Sequence, residues 1–188
     1  MAEEKAKINF TQDNTVYIHG EFDDSIVSIL PTIKSIIETQ KTLKNGMITF
    51  SINSIGGYNY ILHSLLNLIE YAKKEDVIVK TVVEYQAESC GSLLACSGTT
   101  GHRYISEYAQ HLCHFPRGFT YSATPLQVER NAEFYKRGMA SVKDMYKKYC
   151  EPTAEDGYIE QLFEAMKDDY FFIPAKECIK YGLADKIL

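Results

Sequence analysis

The run Val77-Ile78-Val79-Lys80-Thr81-Val82-Val83 most constrains what this chain can fold into. A near-continuous apolar, β-branched stretch belongs to a strand buried on both faces, and such strands occur in parallel sheets covered by helices. The residues before it fit that arrangement. Leu62, Leu65, Leu66, Ile69 and Ala72 share one helical face that ends in the polar 73–76. Residues 47–53 (MITFSIN) read as a second strand, and residues 15–19 (TVYIH) as another that closes at Gly20. Between those two, Ile26, Leu30, Ile33 and Ile37 recur at helical spacing, with Pro31 expected to kink the helix or mark its true start. Strands alternating with helices predict an α/β fold of repeated βαβ units.

Downstream, residues 89–97 read as a small-residue helix, and 102–106 and 110–114 as two short strands. The remainder is mostly helical. Tyr135, Met139, Val142, Tyr146 and Tyr149 form the apolar seam of a long amphipathic helix spanning about 125–149. Ile159, Leu162, Phe163 and Met166 mark a shorter helix, and residues 174–181 a third that stops at Gly182.

At 188 residues the chain suits a single domain with its own apolar core. A formal net charge of -5 gives no basic footprint for nucleic acid. The acidic start runs into no apolar segment of secretory type, and no stretch reaches the ~18 apolar residues of a membrane span. A cytoplasmic protein, with no membrane or nucleic-acid partner, is the expectation. The five cysteines, at 90, 96, 113, 150 and 178, are odd in number and contain no C-x-x-C pair, so reduced thiols are expected and a metal site is not.

Three separated segments could carry chemistry. Asn53-Ser54-Ile55-Gly56-Gly57 follows a buried strand and is either an ordinary loop or a turn offering bare backbone N–H groups to a ligand. Ser89 stands between a strand and a helix start, so it is either an N-cap or a nucleophile at the positive helix end. His114 ends a strand just before Pro116, and a lone histidine there is either structural or a general base. Cys113 is a poor partner for His114, because neighbouring strand residues point to opposite faces. His111 and His114 are for the same reason a poor metal pair, and His19, His63 and His102 read as structural or surface residues.

Together these segments resemble the ClpP family, the proteolytic subunits of Clp proteases, in order, residue type and spacing. The family's Asn-Ser-Pro-Gly-Gly turn, Gly-x-Ala-x-Ser-Met-Gly segment and His-Gln-Pro correspond to Asn53 to Gly57, Ala87 to Gly91 and His114 to Pro116. The closing residues 177–187 (ECIKYGLADKI) also resemble the family's, and the likeness covers roughly 15–188. It implies a ClpP/crotonase-like fold with a protruding handle helix. Residues 1–14 form a short N-terminal segment, and 15–188 one peptidase domain with its handle at about 117–150.

The resemblance further implies a serine endopeptidase that cleaves unfolded polypeptides without metal or organic cofactor. Ser89 would be the nucleophile and His114 the base, with the N–H groups of Gly57 and Cys90 as oxyanion hole and Ile55, Gly56 and Phe115 near the substrate. Asp169 would complete the triad. Reading forward from Ile159 places the family's aspartate at Asp169, whereas reading back from Tyr181-Gly182-Leu183 places it at Tyr170. An insertion in a loop among residues 171–174 would reconcile the two. Implied partners are further copies in a double heptamer, and an AAA+ unfoldase or a second Clp subunit. Ile55, Phe115 and Tyr85 stand where the family has proline, glutamine and commonly glycine, which makes the pocket bulkier. The alternatives are a ring subunit with impaired catalysis and a crotonase-like protein that binds acyl-coenzyme A.

Overall fold

The computed structural model describes residues 9–116, 124–168 and 170–188, without the side chain of residue 168. The strands are β1 (Asn9–Gln12), β2 (Thr15–Ile18), β3 (Glu21–Phe22), β4 (Met47–Ser54), β5 (Gly56–Gly57), β6 (Ile78–Glu88), β7 (Arg103–Ile105), β8 (Gln110–Cys113), β9 (Phe171–Pro174) and β10 (Lys186–Ile187). The helices are α1 (Asp24–Gln40), α2 (Asn59–Lys74), α3 (Cys90–Cys96), α4 (Pro125–Cys150), α5 (Tyr158–Ala165) and α6 (Ala175–Lys180). A single 3-10 turn, Met166–Asp168, follows α5. The main sheet runs β1-β2-β4-β6-β7-β10, while β8 pairs with β6 and β9. All these pairings are parallel except β1 with β2 and β8 with β9.

The βαβ expectation holds, and the buried strand is longer than its apolar pattern. Val79, Thr81, Val82 and Val83 are buried, but β6 continues through the polar Glu84–Glu88 stretch. Its first half pairs with β7, and its second half, beyond a register shift in β4, pairs with β8. Hydrogen bonds to a neighbouring strand hold residues 86–88 extended where hydrophobic periodicity carries no signal.

Helix α2 buries Ile61, Leu62, Leu65, Leu66, Ile69 and Ala72, where each large side chain removed from water contributes about 1.5–3 kcal/mol. Helix α1 buries Ile26, Ile33 and Ile37 and carries Pro31 within its length on the exposed side. Pro31 therefore does not mark the helix start. The sheet also begins before residue 15, because β1 stacks Phe10 on Tyr17 in an antiparallel ladder. Residues 171–174 are not a loop: they form β9, in unbroken register from Cys113 opposite Phe171 to Gln110 opposite Pro174.

Helix α4 opens on a capping box in which the Thr124 side chain accepts from the Gln127 N–H and the Gln127 side chain from the Thr124 N–H. Only its last turns enter the core, through Val142, Tyr146, Tyr149 and Cys150. Leu126, Val128 and Phe134 remain exposed and Tyr135 is half-buried, so the expected seam is covered at one end only.

Among the buried polar residues are two titratable ones, Arg103 and His111. Arg103 is 1% exposed, and all five of its guanidinium donors are used. Its Nε and Nη2 donate to Asp185, Nη1 to the carbonyls of Tyr149 and Gly182, and Nη2 also to Thr153 Oγ1. The guanidinium thereby joins β7, the end of α4 and the turn before β10. Burial alone would raise the Asp185 carboxyl, but its bonds to Arg103 outweigh that and hold it below the ordinary value. Replacing Arg103 by Met leaves the largely covered Asp185 carboxylate without its cation, held only by the backbone N–H groups of Gly101 and residue 103, and should cost up to about 3–5 kcal/mol, read from denaturant midpoints. A loss below that of an exposed ion pair would contradict the assignment.

His111 is fully buried, and burial together with the nearby Arg103 charge pushes its pKa from 6.5 down to about 3. The unfolded chain thus binds a proton that the folded chain refuses. Its contribution to stability is complete above pH 6.5 and is lost as pH falls toward 3, at about 1.4 kcal/mol per pH unit. Asp185 acts in the same sense only below its ordinary value of 3.8. Thermal midpoints should therefore drop between pH 7 and pH 4, and His111→Asn should flatten that drop; equal slopes in both proteins would refute it.

Candidate active site

Ser89 follows the last residue of β6 and occupies the position before α3. Its backbone has φ 54° and ψ −117°, a conformation strained for a residue with a Cβ. Its side chain makes no capping hydrogen bond, so the N-cap alternative does not use the hydroxyl. The turn is held from both sides. The Ser89 N–H donates to the Leu112 carbonyl at 2.9 Å, and the Ser89 carbonyl accepts from the Ser92 N–H at 3.1 Å.

The glycine turn packs against this serine. A Cβ on Gly56, whose φ is +86°, would stand 2.7 Å from Ser89 Cβ and 3.0 Å from the Cys90 nitrogen. Any side chain there would displace the serine turn, which makes glycine a packing requirement. Gly57 extends the same contact toward β3, with the Tyr58 N–H donating to the Phe22 carbonyl at 2.9 Å. The Gly56 N–H is taken by Ser54 Oγ at 3.1 Å. Gly56 is itself buried beneath Ser89, whereas Ile55 and Gly57 are exposed.

The neighbouring thiols are inert. Burial raises Cys90 to about 11, and its Sγ lies near the Gly57 carbonyl and Asn59 Oδ1. Burial likewise raises Cys113 to about 12. Neither supplies a thiolate at neutral pH. All five cysteines are free and buried.

His114 follows β8, whose residue Leu112 pairs with Glu88 of β6. Ser89 and His114 thus stand at the same end of adjacent parallel strands. The His114 Nδ1–H donates to the Phe115 carbonyl at 2.6 Å, a tautomer that leaves Nε2 with its lone pair. The Tyr170 ring lies 6.2 Å from the imidazole, centroid to centroid. That neighbour follows from the β8–β9 register, and the backward reading from Tyr181 had pointed to it. Asp169 lies outside the described residues.

Phe115 and Pro116 line a cleft of about 540 Å³ together with Met139, Met166, Lys136 and Lys143 among others. It begins one residue from His114. Its cationic side includes Lys143, whose Nζ sits 5.5 Å from the ring centroids of both Phe115 and Phe163. Among the described residues no cluster of His, Cys, Asp or Glu could hold a metal ion. No helix among them is long and apolar enough to cross a membrane.

A family model described as Clp protease matches residues 3–188. A curated relative, the ATP-dependent Clp protease proteolytic subunit of Leuconostoc citreum (strain KM20), is 27% identical over 177 residues, covering 94% of this chain and 84% of its own length. The match takes in the glycine turn, the strained serine and the histidine strand together, and the chain belongs to the Clp protease family.

Proposed function

We propose that the chain is a ClpP-like serine endopeptidase subunit that hydrolyses peptide bonds of unfolded polypeptides. The observation that carries this reading is the strained Ser89, whose hydroxyl is not spent on the helix and whose backbone is tied to the strand bearing His114. Ser89 Oγ attacks the peptide carbonyl while His114 Nε2 takes its proton and returns it to the leaving amine. The N–H groups of Gly57 and Cys90 stabilise the oxyanion. An extended substrate runs past Ile55, with a side chain directed into the cleft beside Phe115. Family membership favours this chemistry over binding of acyl-coenzyme A.

Asp169 is the third member of the triad in this reading, orienting His114 from the segment before β9. A second reading, a ring subunit with impaired catalysis, draws on one observation. The Nδ1–H that a triad aspartate would accept is held by the Phe115 carbonyl, with Tyr170 alongside. The active reading requires His114 to exchange that carbonyl for a carboxylate as the site assembles.

The exposed Leu126, Val128 and Phe134 of α4 support a double heptamer in which this helix is the contact between rings. An AAA+ unfoldase would deliver chains to it in the cytoplasm, and a second Clp subunit is the other partner this reading allows.

A fluorophosphonate probe should label the native assembly, and Ser89→Ala should abolish both labelling and peptide cleavage. Asp169→Asn should lower kcat by up to ~10⁴-fold, whereas native turnover in that variant would leave a Ser89-His114 dyad. Failure of the native assembly to react where a control serine peptidase does would support the impaired subunit instead. Sedimentation velocity should find a ring-sized species, and a monomer throughout the micromolar range would rule out the assembly.

A further inference from the structure

One turn beyond Ser89, the core holds a polar cluster that neither the fold nor the proposed chemistry requires. Ser92 Oγ lies 2.9 Å from His111 Nδ1, 3.3 Å from Cys113 Sγ and 3.1 Å from Tyr146 Oη. Ser92, His111 and Cys113 are completely buried, and Tyr146 is 1% exposed. These four groups come from three elements: α3, which starts at Ser89; β8, which ends beside His114; and the root of α4.

Two arrangements serve every contact, and the one that leaves no buried N–H unpaired is favoured. A serine hydroxyl accepts twice and donates once. Tyr146 O–H and His111 Nδ1–H donate to Ser92 Oγ, whose own hydrogen goes to Cys113 Sγ. His111 Nε2 then carries only a lone pair, and it has no partner among the described residues. The other tautomer would bury an unpaired N–H in its place. Burial keeps His111 neutral and the Cys113 thiol and Tyr146 phenol protonated, as the arrangement needs.

An apolar set of the same volume would pack this joint without desolvating four polar groups and stranding one nitrogen. What hydrogen bonds supply that apolar contacts do not is direction. We propose that Ser92, with Tyr146, His111 and Cys113 around its hydroxyl, is a positioning residue that sets the Ser89 turn against the His114 strand and the root of α4. The assignment rests on the peptidase reading given above. Its path is short: the Ser92 N–H already bonds the Ser89 carbonyl, and Cys113 immediately precedes His114. Small displacements of a nucleophile from its base cost about 10²-fold in rate, so a joint of this kind acts on turnover more than on binding.

A matched control touches the same helix from β6. Thr81 is 1% exposed and donates to the Ala95 carbonyl at 2.7 Å, near the end of α3 remote from Ser89. The assembled full-length protein is compared as native, Ser92→Ala, Ser92→Thr, Tyr146→Phe and Thr81→Val. The readouts are the fluorophosphonate labelling rate, kcat and KM for a short peptide, and the denaturation midpoint. Ser92→Ala and Tyr146→Phe should slow labelling and lower kcat on the order of 10- to 100-fold with KM little changed. Ser92→Thr, which keeps the hydroxyl, should recover most of the loss, and Thr81→Val should lose stability without that fall in kcat. Tyr146→Phe removes a single oxygen and carries the test should Ser92→Ala not fold. Native labelling rates in both hub variants, or an equal fall in Thr81→Val, overturn the positioning role alone. A native protein that never labels overturns the peptidase reading and this assignment with it.

Discussion

The structure depends on β6. One strand of eleven residues is shared by two parts of the sheet, pairing with β4 along much of its length, with β7 at its start and with β8 at its end. Its first half is locked by burial under α2 and α3, so the second half has little freedom in where it delivers Ser89. Between Ile52 and Ser54 of β4 the register shifts, with the extra residues in β6, and the glycine turn follows directly after it. Three segments far apart in the chain converge because each is the end of a strand on this one ladder, and ends of parallel strands are where α/β sheets gather their sites.

Convergence alone would not hold a serine in a strained turn. Steric fit from glycines and direction from hydrogen bonds do so together. Gly56 admits the backbone to within contact of Ser89, and Gly91 lies against Ser54, where an added Cβ would come within 3.2 Å of its carbonyl oxygen. The Leu112 carbonyl takes the Ser89 N–H, and the Ser92 hydroxyl joins the same helix to β8 and α4. Arg103 performs a comparable task at the other end of the sheet, closing the C-terminal strand onto β7 through a fully satisfied guanidinium. Buried polar groups thus sit at joints between elements, while apolar side chains fill the volume between them.

Helix α4 is built differently from the rest. A capping box and Pro125 define its start, yet its outer turns leave large apolar side chains in water. Such a surface favours association. Its root at Tyr146 donates a hydrogen bond to the Ser92 hydroxyl, one turn beyond Ser89.

The sequence by itself determined the alternation of strands and helices and the buried faces of α2 and α5, and it marked Ser89, His114 and the glycine turn as candidates. These are local properties, written in periodicity and residue type. It did not reveal β1, the polar half of β6 or β9, because those residues are extended only by pairing with neighbours remote in the chain. Residues 171–174 read as a loop in the sequence but form β9, and Tyr170, just before that strand, lies beside His114. Likewise His111 carried no mark of a special role, since a histidine in a short strand is polar or buried according to what covers it. Only the tertiary structure decided that α3 and α4 cover it, because the Ser92 and Tyr146 hydroxyls come from positions 19 residues before it and 35 after it that folding alone brings together.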